Sequence, residues 1–319
     1  MLFLTLSGIS ARILAGAFSV SLLLSFSGLS FAEAWPAKPL TLLVGFGAGG
    51  GADTLSRLVA RELEKEIGQP VVVKNVAGGG GVVMATKLKN SEPDGYTFGL
   101  ASNSSFDSMP WFAELEYKAD DFDYLTTVTQ LQNAIVASGD APFNSWDEMI
   151  EYGRSSGLTF ASISPITRRF INLVAEKEGV KIRIVPMRGG LEIMNSLIGG
   201  HVDIAWSAGV HQAYLSDGKL QVLAALNDER LSTSPEKPTV RELGYDKSYT
   251  TYFMFSAPKG IPEAILNKLT DALRKASASP AVAELAEDRM AFPNVVLEPE
   301  ALKSFVLNNS DYYREAYRK

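Results

Sequence analysis

Leu40-Thr41-Leu42-Leu43-Val44 runs directly into Gly45-Phe46-Gly47-Ala48-Gly49-Gly50-Gly51-Ala52-Asp53, and from there into an amphipathic helical repeat. The first five residues read as a strand. Glycines without Cβ let the chain turn tightly and approach a ligand, and a following helix presents unpaired N–H groups and the positive end of its dipole to an anion. Residues 45–53 therefore read as an anion-cradling loop. A second glycine run, Ala77-Gly78-Gly79-Gly80-Gly81, follows the strand-like Val71-Val72-Val73. Open α/β sheets gather ligands at the carboxyl ends of their strands, so the two loops are placed to face one another. The alternative is structural, each glycine run making only a tight strand-to-helix connection.

Working outward, Leu55, Leu58, Val59, Leu63 and Ile67 recur at helical spacing, with Asp53 placed as an N-cap and Gly68 just past the end. A strand over Val71–Lys74, a helix to about Asn90, a turn at Pro93-Asp94-Gly95-Tyr96 and a strand over Thr97–Ala101 complete a βαβαβ order, which implies a parallel sheet. Its third strand ends in the polar Ser102-Asn103-Ser104-Ser105, at the same edge as both loops. After a looser stretch near Ala119–Tyr124, Ala134–Ala137 reads as a strand leaving this sheet, and Ser145-Trp146-Asp147-Glu148 as a capping box.

A second βαβαβ set follows: Leu158–Ala161, a helix after Ser162-Ile163-Ser164-Pro165-Ile166-Thr167, Lys181–Val185, a helix after Gly189-Gly190, and Val202–Trp206. Tyr249–Ala257 is β-rich and returns the chain to the first sheet; helices are expected over Pro262–Ser277, Ala281–Asp288 and Pro299–Tyr317. The expected organisation is one α/β domain from residues 35–132 with 251–319, and a second from 133–250.

The chain has 319 residues, enough for two domains, and a net charge of −6 that gives no footprint for nucleic acid. Ile13–Leu29 is apolar, follows Arg12 and ends in Ser30-Phe31-Ala32-Glu33-Ala34, so residues 1–34 read as an export signal cleaved near Ala32 or Ala34. A membrane anchor is the alternative, the run being near the lower limit for spanning a bilayer. There is no cysteine, which excludes a disulfide scaffold and a cysteine-linked lipid. Free export to a periplasm-like compartment is the simplest reading.

Gly45-x-Gly47-x-x-Gly50 matches the dinucleotide spacing, but Lys74-Asn75 stands where the ribose-binding acid belongs, and Gly51-Ala52 where a phosphate loop needs Lys and Ser or Thr. His201 and His211 have no metal-ligand spacing, and no Gly-x-Ser-x-Gly elbow occurs. Asp53 is either a base or a helix cap. Arg168 and Arg169 open a helix, where cations oppose the dipole; one of them faces the cleft and pairs with a ligand carboxylate, or one is solvated and the other sits in a salt bridge. Trp206 is a core or a cleft residue.

Trp35-Pro36-x-Lys38-Pro39, the Phe46–Asp53 loop, Asn75 with the second loop, Pro93-Asp94-Gly95-Tyr96-Thr97, Val185-Pro186-x-Arg188-Gly189-Gly190, Gly200-x-Val202-Asp203 and Pro238-Thr239-Val240-x-Glu242-x-Gly244-Tyr245 together resemble the periplasmic solute-binding proteins of tripartite tricarboxylate transporters, the Bug family. The resemblance implies a two-domain periplasmic-binding-protein fold of type II, a Venus flytrap with two crossover strands closing on a small carboxylate. It further implies no enzyme activity and no cofactor or metal, a monomer, and membrane transporter subunits as partners. The site residues it implies are Phe46, Ala48, Gly49, Gly50 and Asp53 in the first loop and Gly79 and Gly80 in the second. Asn103 and Ser104 lie at the third strand end; Ser162, Ser164, Thr167, Arg168, Gly189, Gly190 and Asp203 come from the second domain. Two departures stand out: Ala52 replaces a usual hydroxyl residue, and Ser162-Ile163-Ser164-Pro165 replaces a glycine-rich run. An exported α/β enzyme or dinucleotide-cofactor protein is the competing class.

Overall fold

A computed structural model describes residues 35–187 and 189–317, so the expected export signal and Arg188 lie outside the described residues. All elements below belong to the compact unit that begins at Lys38. β1 (Leu40–Val44) is buried because both faces are covered, as its unbroken apolar run requires. Parallel neighbours need helical crossovers, and α1 (Gly51–Ile67) supplies the first by turning Leu55, Val59 and Leu63 inward and stopping at Gly68, whose φ is +70°. Gly50, not Asp53, is its N-cap: Asp53 sits within the first turn. β2 (Val71–Asn75) and β3 (Thr97–Ser102) flank β1 in parallel, linked by α2 (Val82–Lys89).

β4 (Phe122–Leu131) begins inside the stretch read as loose, near Ala119–Tyr124, and runs on through residues where no element was expected, and the chain passes at once into β5 (Ala134–Ser138) of a second sheet. There α3 (Trp146–Ser156), β6 (Leu158–Ser162), α4 (Pro165–Glu178), β7 (Ile182–Pro186), α5 (Gly190–Ile198), β8 (Ile204–Ser207) and β9 (Leu220–Ala225) follow in turn. β10 (Thr251–Pro258) then returns to the first sheet, and α6 (Glu263–Ser277) and α7 (Pro299–Tyr317) pack on it. The helix read over Ala281–Asp288 is a short helix, Pro280–Glu284, running into a wide π turn.

The strand orders are β2-β1-β3-β10-β4 and β7-β6-β8-β5-β9. In each sheet three parallel strands are followed by an antiparallel one, β10 or β5, that enters from the other sheet. Asn133 and Asn227, both buried, fasten the two crossings. Asn133 donates to the Tyr249 carbonyl and to Thr251 Oγ1, each at 3.0 Å, and Asn227 donates to the Leu131 carbonyl at 2.8 Å. Phe170 meets Tyr245 and Tyr249 edge-on, closing the second core beneath this junction.

Candidate functional site

The carboxyl ends of the parallel strands of both sheets open on one cleft of about 1790 Å3. Phe46, Ala48 and Gly50 line it from the first loop. Asp53 does not: its carboxylate, 4 % exposed, accepts from Gly49 N–H at 2.9 Å, Asn75 Nδ2 at 2.9 Å and Arg57 Nε at 3.1 Å. The Arg57 hydrogen bond, with those from Gly49 and Asn75, holds the carboxyl down at about 2 despite burial. Asp53 and Gly49 are thus spent on each other, and Asp53 shapes the loop from behind instead of acting as a base. Asn75, where a dinucleotide site needs an acid, is equally committed, since it also donates to the Phe46 carbonyl at 3.0 Å.

The second loop is four glycines in succession with positive φ, Gly78 to Gly81. A side chain at Gly81 would run into the Ser105 hydroxyl, which donates to the Gly80 carbonyl at 2.8 Å. Gly79 and Gly80 line the cleft beside Asn103 and Ser104. Asn103 is tied at both ends of its amide, accepting from Tyr252 N–H at 2.8 Å and donating to Asp107 Oδ2 at 2.7 Å. Burial pushes the Asp107 carboxyl up to about 6 against that hydrogen bond. Asn309 joins Asp107 to Lys247, whose ammonium donates to Asn309 Oδ1 at 3.0 Å and lies 4.3 Å from the centre of the Tyr312 ring.

From the second sheet, Ser164, Thr167, Gly189 and Gly190 line the cleft. Ser162, Arg168 and Asp203 do not. The Ser162 and Thr167 hydroxyls bond each other at 2.6 Å, and Ser164 caps α4 through its Oγ. The Arg168 guanidinium folds back to the Ile163 carbonyl at 3.0 Å, and Arg169 donates to the Ala316 carbonyl at 3.2 Å. Asp203 accepts from Thr159 N–H and Oγ1, both at 2.7 Å, near the amino end of β6 and hence away from the ligand edge.

Sequence reading passed over the cleft residues Phe253, Met290, Phe292 and Asn309, and left Trp206 open. No local motif marks them; only the β-rich return at Tyr249–Ala257 hinted that the C-terminal part reaches the site. Trp206 lines the cleft, with Nε1 donating to Asn133 Oδ1 at 3.2 Å.

Among the described residues, α1 after Gly50 and α5 after Gly189 begin at this cleft with a glycine N-cap and no side-chain cap, as does α2 after Gly81, just behind the cleft-lining Gly79 and Gly80. Elsewhere α3 opens on a serine that accepts from the first turn. Uncapped first-turn N–H groups attract anions. Fold and cleft define a two-lobed α/β solute-binding protein of the periplasmic type.

A family model described as the tripartite tricarboxylate transporter family receptor matches residues 55–311, and the chain belongs to that family of periplasmic receptors, which bind solutes and are not enzymes. It is 31% identical over 288 residues to protein BugT of Bordetella pertussis, covering 86% of this chain and 87% of that one. A TctC solute-binding protein from Polaromonas, solved without ligand, shares 27% identity with a TM-score of 0.76, over 88% of this chain and 98% of that chain. MatC from Rhodopseudomonas palustris, solved with bound malate, shares 25% identity with a TM-score of 0.72, over 89% of this chain and 100% of that chain.

Proposed function

We propose that this chain is exported, loses residues 1–34 near Ala32 or Ala34, and captures a small carboxylate as a monomeric receptor for a membrane transporter of the tripartite tricarboxylate type. The observation that carries the reading is the pair of uncapped helix starts, after Gly50 and after Gly189, that open on one cleft from different sheets. The malate in MatC supports a carboxylate ligand. The two lobes, 35–132 with 251–319 and 133–250, close by rotation at the crossings near Leu131–Ile135 and Tyr249–Phe253, because a few residues at strand ends absorb such a change.

A thermal-shift screen of the chain lacking residues 1–34 against a carboxylate library tests this, followed by small-angle scattering on any hit. A raised melting temperature together with a smaller radius of gyration is the expected result. Failure of every carboxylate to shift the protein overturns the assignment, and turnover of a bound compound would restore the enzyme class.

A further inference from the structure

Residues 290–292 belong to the first lobe and touch both lobes at once. The chain just after them is stitched along β4: the Thr127 hydroxyl donates to the Val295 carbonyl at 2.5 Å, and the Pro293 carbonyl accepts from the Thr129 hydroxyl at 2.9 Å and from Gln130 N–H at 3.0 Å. Met290 in turn meets the first turn of α1, where a Cβ on Gly51 would lie 2.7 Å from its methyl carbon. This strap is therefore fixed to the first sheet. On the second lobe the turn after β8 is fixed as firmly, because the Ser207 hydroxyl bonds the fully buried His211 through its backbone N–H at 3.2 Å and its Nδ1 at 2.9 Å.

These two fixed pieces meet across the cleft. A Cβ on Gly209 would fall 2.1 Å from Phe292 Cε1, so the ring rests directly on the glycine backbone, which no larger residue would allow. Beside it Gln212 Nε2 donates to the Ala291 carbonyl at 3.0 Å. Ala291 has φ of +51°, and a non-glycine residue keeps such a backbone only where its surroundings hold it. One of those constraints comes from the other lobe. Arg169 also reaches across, to the Ala316 carbonyl, and Lys247 to Asn309, but the first bond is solvent-exposed and the second lies two residues from a crossing.

We propose that residues 290–292 are a latch: Phe292 seated on Gly209, and the Ala291 carbonyl held by Gln212, draw part of the population closed before any solute arrives. Solute then closes the remainder, since it shifts an equilibrium that already exists. The latch rests on the rotation of the lobes proposed above and is independent of the solute's chemistry.

Small-angle scattering on the dialysed, solute-free chain lacking residues 1–34 tests it. Phe292→Ala removes the ring and Gln212→Glu replaces the donor with an acceptor; both positions are partly exposed, and an unchanged far-ultraviolet circular dichroism spectrum confirms the fold. Each variant should have a radius of gyration about 0.5–1 Å larger than the parent, on the roughly 19 Å of a compact chain of this size. Arg169→Ala, which breaks a different bond between the lobes, should match the parent. A parent radius equalled by either latch variant, or the same expansion in Arg169→Ala, overturns the latch. Compaction of the parent by a hit from the carboxylate screen is a separate observation, so the rotation of the lobes stands or falls without it.

Discussion

Asn75 Nδ2 lies 2.9 Å from Asp53 Oδ1, so the end of β2 holds the first turn of α1 across 22 residues of chain. With the Phe46 carbonyl as its second acceptor, this one amide sets the shape of the loop at the cleft. Asn75→Ala should therefore cost about 1–3 kcal/mol, the range for leaving buried polar groups unpaired. Urea denaturation would show it as a lower midpoint with an unchanged slope, and a midpoint equal to that of the parent chain would mean the loop holds itself.

Gly50→Val tests the anion site without straining the fold. Gly50 has φ of −81°, and an added Cβ would lie 3.6 Å from the Gly47 carbonyl oxygen, an ordinary contact. The branched side chain crowds the uncapped helix start, and carboxylate affinity should fall by about 2 kcal/mol or more, in the range of lost charged hydrogen bonds. Calorimetry on a folded variant with full affinity would remove the first loop from the site.

Arg168→Ala and Arg169→Ala should each change affinity by less than about 0.5 kcal/mol, as for solvent-exposed charges. One guanidinium turns to the Ile163 carbonyl and the other to that of Ala316. A tenfold loss in Arg168→Ala alone would require the side chain to swing into the cleft on binding.

Asp107 makes a pH prediction. Its carboxyl rises from 3.8 to about 6 in the fold, so the folded protein holds a proton that the unfolded chain releases. That protonation favours the fold below about pH 4, and the advantage is lost as pH rises through about 6, a swing of roughly 3 kcal/mol from a shift of that size. Asp107→Asn should be more stable than the parent at pH 7 and show a flatter stability profile between pH 4 and 6. Parallel profiles for the two proteins would exclude Asp107 as the source.

The architecture was legible where local rules agreed. The apolar run of β1, the spacing of Leu55, Val59 and Leu63, and the glycines after three strands all pointed to parallel βαβ units, and the sheets contain them. β4 was missed although Thr126, Thr127 and Val128 favour strands, because it has no helical partner in sequence and pairs only with β10, 120 and more residues away. Site chemistry was less legible. Arg168 has the right charge but the wrong direction, and Asp203 is an anion held at the far end of β6; both placements follow from hydrogen bonds to Ile163 and Thr159 that spacing does not encode. Phe253 and Phe292 reach the cleft only through the long-range return of the chain.

β10 inserts between β3 and β4, strands made more than a hundred residues earlier. Until residue 258 is available, the first sheet stands open, with the edges of β3 and β4 that β10 covers left unpaired. Exposed edges of that kind invite pairing with other chains. A chain cut short after residue 250 would keep every strand of the second sheet and still lack the one that joins β3 to β4, so the first lobe is completed only by residues made after the whole of the second sheet.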